Sequence, residues 1–289
     1  MTAPAGSTTA RAALTEIHAA NDLALQVWRQ DVSVAQAYLG TRGFDLPAIT
    51  DLGYDIGHAG SDGAVRGTLE AHGFQERVAT AAGLIRATDS GGVIDSFRHR
   101  LMFPIRTIHD GAIAGFVGRA MPQAHPDAPR WLNTRTTASF RKGELLYGLW
   151  EARRILERRR RPIAALVVCE GPLDAIAATL TCPVVAVAPA GTAMTETQAR
   201  WISDLAAAAR LPIVVAGDGD EAGQRAGTKA AGRIAACSPA TRVSVATLRE
   251  GEDPASLAAS APQELCRSIS APDLSSAVQR PGGQAARRR

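Results

Sequence analysis

The segment from residue 163 to 249 constrains the fold most strongly, because short apolar runs alternate there with helix-like segments. The runs read IAALVVC, VVAVAP, PIVVAG and RVSVATL, and each has the length of one buried strand. Continuous apolar runs are typical of parallel strands that are covered on both faces by helices. The repeated strand–helix order therefore predicts an α/β fold with a doubly wound, mostly parallel sheet.

Acidic residues follow three of these runs. Glu170 and Asp174 come after the first, Asp218 and Asp220 after the third, and Asp253 after the fourth. Because the carboxyl ends of parallel strands meet at one edge of the sheet, we expect the carboxylates to converge there. Close carboxylates repel one another unless a cation neutralises them, and Mg²⁺ favours carboxylate, water and phosphate oxygens. The spacing predicts a metal site used in phosphate chemistry.

Each acidic motif also has a simpler structural explanation. Glu170 is equally suited to the N-terminus of a helix, and Asp218 and Asp220 lie among residues that are common in turns. Asp253 is suited to a plain turn before a helix that starts at proline. The DGD segment does not match an EF-hand, because the third ligand position and the distal Glu are absent. It is the occurrence of the motifs on successive strand ends that favours a metal site.

The charge of the chain is unevenly distributed. The net charge is +4, but residues 98–161 contain 14 Arg or Lys against five Asp or Glu. A basic block beside an acidic metal site suits a polyanionic partner. Only two of the 32 basic residues are Lys, so an arginine-rich bias on a solvated face is the open alternative.

Several classes of protein are disfavoured by what the sequence lacks. The cysteines Cys169, Cys182, Cys237 and Cys266 form no CxxC or Cys/His pair, so we expect no zinc site. No apolar run has the length of a membrane span, and the first residues lack the apolar core of a signal peptide. We therefore expect a cytoplasmic protein without a membrane partner.

The N-terminal half has a mixed pattern that predicts an α+β subdomain. Residues 11–40 read as a helix ending at Gly40 or Gly43, and residues 49–59 as a short strand. Two short helices closed by Gly73 and Gly83 follow.

A hairpin is expected within residues 95–118, and a basic helix at 149–161. The predicted organisation is a basic subdomain at 11–161, a parallel-sheet domain at 162–268 and a disordered basic tail at 269–289.

Two resemblances follow from these motifs. With EGPLD, DGDEAG and GEDP, residues 163–257 resemble a Toprim domain, the metal-binding module of bacterial-type primases, topoisomerases and some nucleases. The strings YLGTRGF, LGYDIGHA, FRHRLMFPI, GAIAGFVGRA, RWLNTRTTASFRKGELLYGLWEA and APAGTAMTETQ resemble the catalytic core of the bacterial replicative (DnaG-type) DNA primase. They occur in the order of that family and extend over roughly residues 20–265.

The resemblance implies a nucleotidyltransferase that makes short RNA primers on single-stranded DNA from ribonucleoside triphosphates. It implies that Glu170, Asp218 and Asp220 are catalytic and hold Mg²⁺, for which Mn²⁺ can substitute, with Asp253 as a further ligand. The residues implied to contact nucleic acid and nucleotide phosphates are Arg98, Arg100, Arg119, Arg130 and Lys142. Supporting roles fall to Asp174, Asn133 and Tyr147, with Asp174 holding a basic residue or a second metal.

The sequence departs from the family in four ways. It has no Cys/His set for a zinc module, and residues 270–289 are too short for a helicase-binding domain. Ala255 stands where the family usually has Asp, and Arg130 where it usually has Lys. These departures imply a stand-alone core whose partners are a replicative helicase or a separate zinc-module protein.

Two other functions stay open at this point. A Toprim nuclease needs the same acids without a nucleotide site, and a non-catalytic nucleic-acid-binding accessory protein could keep the fold alone. A topoisomerase fits less well because it needs a transesterifying tyrosine. Tyr38, Tyr54 and Tyr147 all lie in primase-like motifs.

Overall fold

The structure is a computed structural model that describes residues 5–191, 193–238 and 240–270 of the 289-residue chain. The helices are α1 Ala5–Gln30, α2 Ser33–Gly40, α3 Leu46–Asp51, α4 Ala64–Ala71, α5 Glu76–Ala81, α6 Leu149–Arg158, α7 Pro172–Thr181, α8 Glu196–Ala209, α9 Glu221–Cys237, α10 Pro254–Ser260 and α11 Pro262–Ser270, with a 3₁₀ turn at Lys142–Glu144. The strands are β1 Gly57–Ala59, β2 Ile85–Ala87, β3 Val93–Asp95, β4 Arg100–Arg106, β5 Ile113–Ala120, β6 Trp131–Asn133, β7 Leu146–Tyr147, β8 Ala165–Val168, β9 Val184–Pro189, β10 Ile213–Val215 and β11 Val243–Val245.

The chain divides into two compact units, and each is described by itself. Of the described residues, unit 1 comprises 5–155 and 189–191, and unit 2 comprises 156–188, 193–238 and 240–270. The boundary falls within α6, the basic helix that the sequence predicts at 149–161. The helix ends at Arg158 because Arg159 has a left-handed backbone, with φ of +47°.

Unit 1 is built on an antiparallel sheet of four strands in the order β1-β4-β5-β6. The hairpin expected within residues 95–118 is confirmed as β4 and β5, with Leu101 opposite Arg119. Its turn is closed by a hydrogen bond from Thr107 N to Ala112 O of 2.9 Å. Asp110 supports the turn by accepting from Ala112 N at 3.1 Å, as a short carboxylate side chain commonly does.

Helix α1 covers the hairpin sheet of unit 1 and supplies much of its core. The ring of Trp28 meets the edge of Phe116 at 4.7 Å between centroids and of Phe97 at 5.9 Å. Edge-to-face aromatic pairs of this kind add stability beyond the apolar area that they bury. Asn21 Nδ2 donates to Ile113 O at 2.9 Å, so the same helix also bonds to the start of β5.

Unit 2 contains parallel strands in the order β11-β10-β8-β9. All four residues of β8 are buried, and Leu166 pairs with Ile213 on one side and Val185 on the other. The chain moves from β8 outward to β9, crosses back to β10 on the other side, and then continues outward to β11. The α/β fold class and the parallel sheet are thus confirmed, and β8 and β10 flank the point where the strand order reverses.

Three expectations about local structure need correction. The helix expected over 11–40 is interrupted, because the Asp31 carboxylate accepts from Ser33 N at 3.1 Å and from its hydroxyl at 2.6 Å in a non-helical link. The strand expected at 49–59 is limited to β1. Its first residues belong to α3, which Asp45 caps by accepting from Ala48 N at 3.2 Å.

The third correction concerns the C-terminal tail expected from residue 269. Ile269 is buried within α11, and Ser270 belongs to the same helix. Residues 271–289 lie outside the described residues. The two short helices followed by Gly73 and Gly83 are confirmed as α4 and α5.

Two further observations concern the whole described chain. No described helix combines the length and the apolar character needed to cross a bilayer. A disulfide joins Cys182 and Cys266, with 5.1 Å between their Cα atoms, whereas Cys169 and Cys237 are free thiols. The spacing of the four cysteines did not predict this disulfide.

Candidate active site

The acidic residues lie at the strand ends of unit 2 where a doubly wound sheet binds ligands. Glu170 follows β8 and Asp218 follows β10, the two strands that flank the reversal of strand order. Glu170 Oε1 accepts a hydrogen bond from Asp218 N at 3.0 Å, although the two residues are 48 positions apart. The structure therefore brings these two predicted site residues together.

Glycines make room for the Glu170 carboxylate. A Cβ atom placed on either Gly217 or Gly223 would lie 2.9 Å from Glu170 Oε1, which is closer than real Cβ contacts allow. Gly217 immediately precedes Asp218, and Gly223 lies in the first turn of α9. Gly217 and Gly223 of GDGDEAG are therefore explained by close packing around an acidic side chain as well as by turn formation.

Two further predicted ligands cap helices. Asp220 Oδ1 accepts from Gly223 N at 2.7 Å and is the N-cap of α9. Asp253 Oδ1 accepts from Ser256 N at 2.6 Å and is the N-cap of α10 in a capping box. The helix dipole and the free N–H groups at these N-termini stabilise both carboxylates. Asp220 and Asp253 are therefore helix caps, and they also lie at the edge of the sheet where the strands end.

Asp174 connects two helices at this edge. Its Oδ1 accepts a hydrogen bond from Ala255 N at 3.3 Å, which joins α7 to the first turn of α10. Burial and, to a lesser extent, the charges of Asp253 and Asp218 together raise the pKa of the Asp174 carboxyl to about 7. The described contact is therefore with a backbone N–H rather than with the basic residue that the sequence analysis considered.

The acids supply oxygen ligands that suit a cation, but the described carboxylates are not arranged as a complete metal site. Among the described residues, no group of three Asp, Glu, His or Cys is arranged to hold a metal ion. Asp253 and Asp218 nevertheless lie near enough to Asp174 to disfavour its ionisation. Oxygen ligands with mutual repulsion fit a hard divalent cation chemically. Glu170, Asp174, Asp220 and Asp253 each accept a hydrogen bond from a backbone N–H group.

The predicted basic residues in unit 1 fall into different environments. Arg100 is 4% exposed, and its NH1 donates to Pro129 O at 2.9 Å and to Gly118 O at 3.2 Å. Its burial, together with the charge of Arg98, lowers its pKa. Arg98 is half-buried and donates to Asp95 O. The described contacts of Arg100 are those of a residue that supports the strands β4 and β5.

Arg119 belongs to a cluster of aromatic and cationic side chains whose other members were not predicted as site residues. Its Nε donates to Tyr38 OH at 2.9 Å, and its guanidinium lies 5.2 Å from the centre of the Trp131 ring. Arg42 in turn lies 5.7 Å from the centre of the Tyr38 ring. We call Tyr38, Arg42, Arg119 and Trp131 the aromatic–arginine cluster. Alternating cations and rings can bind phosphates and stack on bases.

One signal in the sequence could have identified two of the missed members of the cluster. Tyr38 and Arg42 are four residues apart at the end of a helix, which places them on one face. Arg119 and Trp131 are cross-strand partners in β5 and β6. The hairpin was expected, but the pairing of β6 with it was not.

The remaining predicted residues of unit 1 are Arg130, Lys142, Asn133 and Tyr147. Arg130 and Lys142 are exposed, and Arg130 is close enough to Arg119 to lower its pKa slightly after the larger effect of burial. Asn133 Nδ2 donates to Ala190 O at 2.8 Å, which ties β6 to residues 189–191. Tyr147 is 1% exposed and stacks on Tyr54 at 5.9 Å, in agreement with a supporting position.

Similar proteins are known for both halves of the chain. One family model, the N-terminal domain of the DNA primase catalytic core, matches residues 24–153, and a Toprim-like model matches residues 167–258. Toprim domains in general bind divalent metal ions. A DNA primase of Geobacillus stearothermophilus is 35% identical over 254 residues, which cover 86% of this chain and 40% of the relative. The chain thus spans about two-fifths of the curated relatives' length.

Solved structures show the same similarity. A DNA primase domain from Pseudomonas aeruginosa is 32% identical, with a TM-score of 0.69, covering 85% of this chain and 75% of that chain. The structure of a DnaG primase catalytic domain bound to ssDNA has a TM-score of 0.71 at 26% identity, covering 88% of this chain and 77% of that chain.

Proposed function

This chain belongs to the family of bacterial DnaG-type primase catalytic cores, and from that premise we propose that it is a DNA primase. The reaction would be DNA-dependent synthesis of short RNA primers from ribonucleoside triphosphates on single-stranded DNA. The observation that carries the proposal is the meeting of Glu170 and Asp218 at the reversal point of the sheet, in a chain that also contains the N-terminal primase-core domain.

We assign the metal of this site as Mg²⁺, with Mn²⁺ able to replace it. Glu170, Asp218 and Asp220 would hold it, and Asp253 would contribute a further oxygen. When bound, such an ion activates a 3′ hydroxyl and neutralises the leaving pyrophosphate. The protein's own contribution is to hold the acids on strand ends and helix N-termini, where they change position little.

The basic residues that would bind nucleic acid belong to unit 1. Arg98, Arg119, Arg130 and Lys142 would contact the template strand and the phosphates of incoming nucleotides. The aromatic–arginine cluster would add sequence-tolerant stacking, which suits a template of any sequence. Arg100, whose NH1 is bonded to two carbonyl groups, would hold the strands that carry these residues.

The wider setting follows from the same proposal. We propose a basic subdomain at 11–161 and a Toprim domain at 162–268. A replicative helicase or a zinc-module protein would be the partner, and the protein would act in the cytoplasm on the nucleoid. The solved relative bound to ssDNA supports the assignment of the template.

Primer synthesis on a single-stranded DNA template with labelled ribonucleotides and Mg²⁺ or Mn²⁺ tests the proposal. The key variant is Glu170→Gln, because the amide oxygen can still accept from Asp218 N while the charge is removed. The matched control is Asp204→Asn, which removes an exposed carboxylate from α8. We expect short RNA products from the wild type and the control, and loss of product in Glu170→Gln.

The other outcomes separate the alternatives. Degradation of the template would identify a Toprim nuclease. Absence of product with retained single-stranded DNA binding, even when helicase and zinc-module proteins are added, would identify an accessory protein. The accessory function is the second candidate because Ala255 stands where the family usually has Asp, which removes one possible metal-binding carboxylate.

A further inference from the structure

We propose that Cys182 and Cys266 form a reversible redox clamp that holds the C-terminal helices α10 and α11 against α7 in unit 2. Oxidised, the clamp ties α11 to the end of α7. Reduced, it lets α10 and α11 open more readily, and the carboxylate of Asp253 is then less well fixed.

The two cysteines are placed at a point that joins separate parts of unit 2. Cys182 directly follows α7, whereas Cys266 lies in the middle of α11, 84 residues later. Their Cα atoms are 5.1 Å apart, a separation that a disulfide spans without backbone movement. Helix α11 packs on both α7 and α10, so the bond reinforces an existing interface.

The α7 side of the clamp is a firm anchor. Cys182 is 1% exposed, and Arg161 donates to its carbonyl oxygen at 3.1 Å. The same guanidinium donates to Thr179 O at 2.6 Å and to Val184 O at 3.0 Å. The end of α7 and the start of β9 are thereby fixed together, so opening would occur on the α11 side.

The α11 side depends on packing between short helices. Helices α10 and α11 have seven and nine residues, and helices of this length are marginal in water without tertiary contacts. The apolar anchors are Leu257 in α10 and Leu265 and Ile269 in α11, all fully buried. The ion pair from Arg249 to Glu264 at 2.7 Å is exposed and contributes little.

The clamp is connected to the candidate active site through α10. Asp253 caps this helix, and Ala255 N donates to Asp174 Oδ1 at 3.3 Å. Opening of α10 and α11 therefore breaks the contact between α7 and the first turn of α10. The effect on metal binding rests on the proposed function of the acidic edge, whereas the clamp itself does not.

The chemistry is thiol–disulfide exchange with a small-molecule disulfide such as oxidised glutathione. Cys266 is the more exposed thiol, and its thiolate attacks the small disulfide, forming a mixed disulfide and releasing one thiolate. The thiolate of Cys182 then attacks Cys266 Sγ and displaces the second one. Two protein thiols are oxidised, one small disulfide is reduced to two thiols, and reduction reverses the steps.

Hydrogen exchange of the full chain tests the clamp without any activity measurement. The protein is compared after treatment with oxidised glutathione and with a phosphine reductant. We expect exchange in peptides covering 253–270 to be at least about tenfold faster in the reduced protein, while exchange in β8 stays unchanged. Electron paramagnetic resonance of free Mn²⁺ should show a several-fold weaker affinity after reduction.

Variants distinguish the clamp from other redox effects. Cys266→Ser, at the less buried end, should exchange like the reduced wild type under both conditions. Cys237→Ser removes a free thiol and should respond to redox conditions as the wild type does. If peptide mapping found no Cys182–Cys266 bond after oxidation, or if exchange at 253–270 were equal in both states, the clamp would be overturned.

The metal measurement and the activity test have separate meanings. Altered exchange with unaltered Mn²⁺ affinity would overturn the link between the clamp and the acidic edge. A redox-dependent exchange and Mn²⁺ affinity in a protein that makes no primers would support the clamp and refute the proposed primase activity.

Discussion

The buried carboxylate of Glu151 gives a pH dependence of stability that can be worked out from the structure. Glu151 lies in α6 and is 3% exposed, and its Oε1 is 3.5 Å from Arg106 Nε. Burial raises the pKa of this carboxyl from 4.5 to about 7, although Arg106 opposes the increase. The guanidinium of Arg106 is shared with Asp55, at 2.6 Å, so it does not fully compensate the charge of Glu151.

The sign of the effect follows from proton binding. Between pH 4.5 and about 7 the folded protein keeps a proton on Glu151 that the unfolded chain has lost. The contribution of protonated Glu151 to the free energy of unfolding is complete below pH 4.5. It falls as the pH rises from 4.5 through about 7, and it is lost above that pH. A shift of this size corresponds to a loss of about 3 kcal/mol in the free energy of unfolding of unit 1.

The variant Glu151→Gln isolates this contribution because glutamine is neutral and similar in shape. We expect it to match the wild type near pH 5 and to exceed its free energy of unfolding by about 2–3 kcal/mol at pH 8. Urea unfolding followed by tryptophan fluorescence reports mainly on unit 1, which contains Trp28, Trp131 and Trp150 of the four tryptophans.

The control for this prediction is Glu70→Gln, which neutralises an exposed carboxylate on α4 of the same unit. The difference in the free energy of unfolding between Glu70→Gln and the wild type should not vary between pH 5 and pH 8. If Glu151→Gln and the wild type also gave parallel stability curves over this range, the argument from burial would be wrong.

Three further changes have expected outcomes. Asp174→Ala should reduce the protection of the Ala255 amide in hydrogen exchange by about 1–2 kcal/mol, because a buried N–H group loses its acceptor. Asp174→Asn should preserve this protection, and equal protection in the two variants would contradict the assigned contact. Tyr38→Phe removes the acceptor of Arg119 Nε, so Arg119 is less firmly positioned. Single-stranded DNA binding should weaken a few-fold in fluorescence anisotropy, at a fraction of the cost of one hydrogen bond to a charged group; unchanged affinity would separate the cluster from template binding. Arg130→Ala should lower the slope of log affinity against log salt concentration by about 0.7, the value for one contact with a single-strand phosphate; an unchanged slope would place Arg130 outside the interface.

The fold of unit 2 could be predicted from the sequence because its signal is local. Each buried parallel strand is one continuous apolar run, such as ALVV in β8, and acids follow where the strands end. The meeting of Glu170 with Asp218 follows from the general rule about strand ends. What could not be predicted is which oxygen of each acid bonds to which backbone N–H.

Unit 1 was less predictable because its contacts join residues that are far apart in the sequence. The pairing of Arg119 with Tyr38 spans 81 residues, and β6 joins the hairpin through a three-residue strand with little pattern of its own. The interruption at Asp31 depends on two hydrogen bonds from Ser33 to the Asp31 carboxylate, which compete with the helix. Apolar periodicity does not register such a competition.

The engagement of Asp220 and Asp253 as helix caps has a consequence for how the proposed metal site works. Each cap uses Oδ1 for a backbone N–H, and each carboxylate has a second oxygen that can bind a cation. A cation bound in this way adds to the cap instead of competing with it, so metal affinity and the stability of the N-termini of α9 and α10 should increase together. The same coupling explains why an opening of α10, far from Glu170 in the sequence, should weaken the metal site while leaving the buried strand β8 intact.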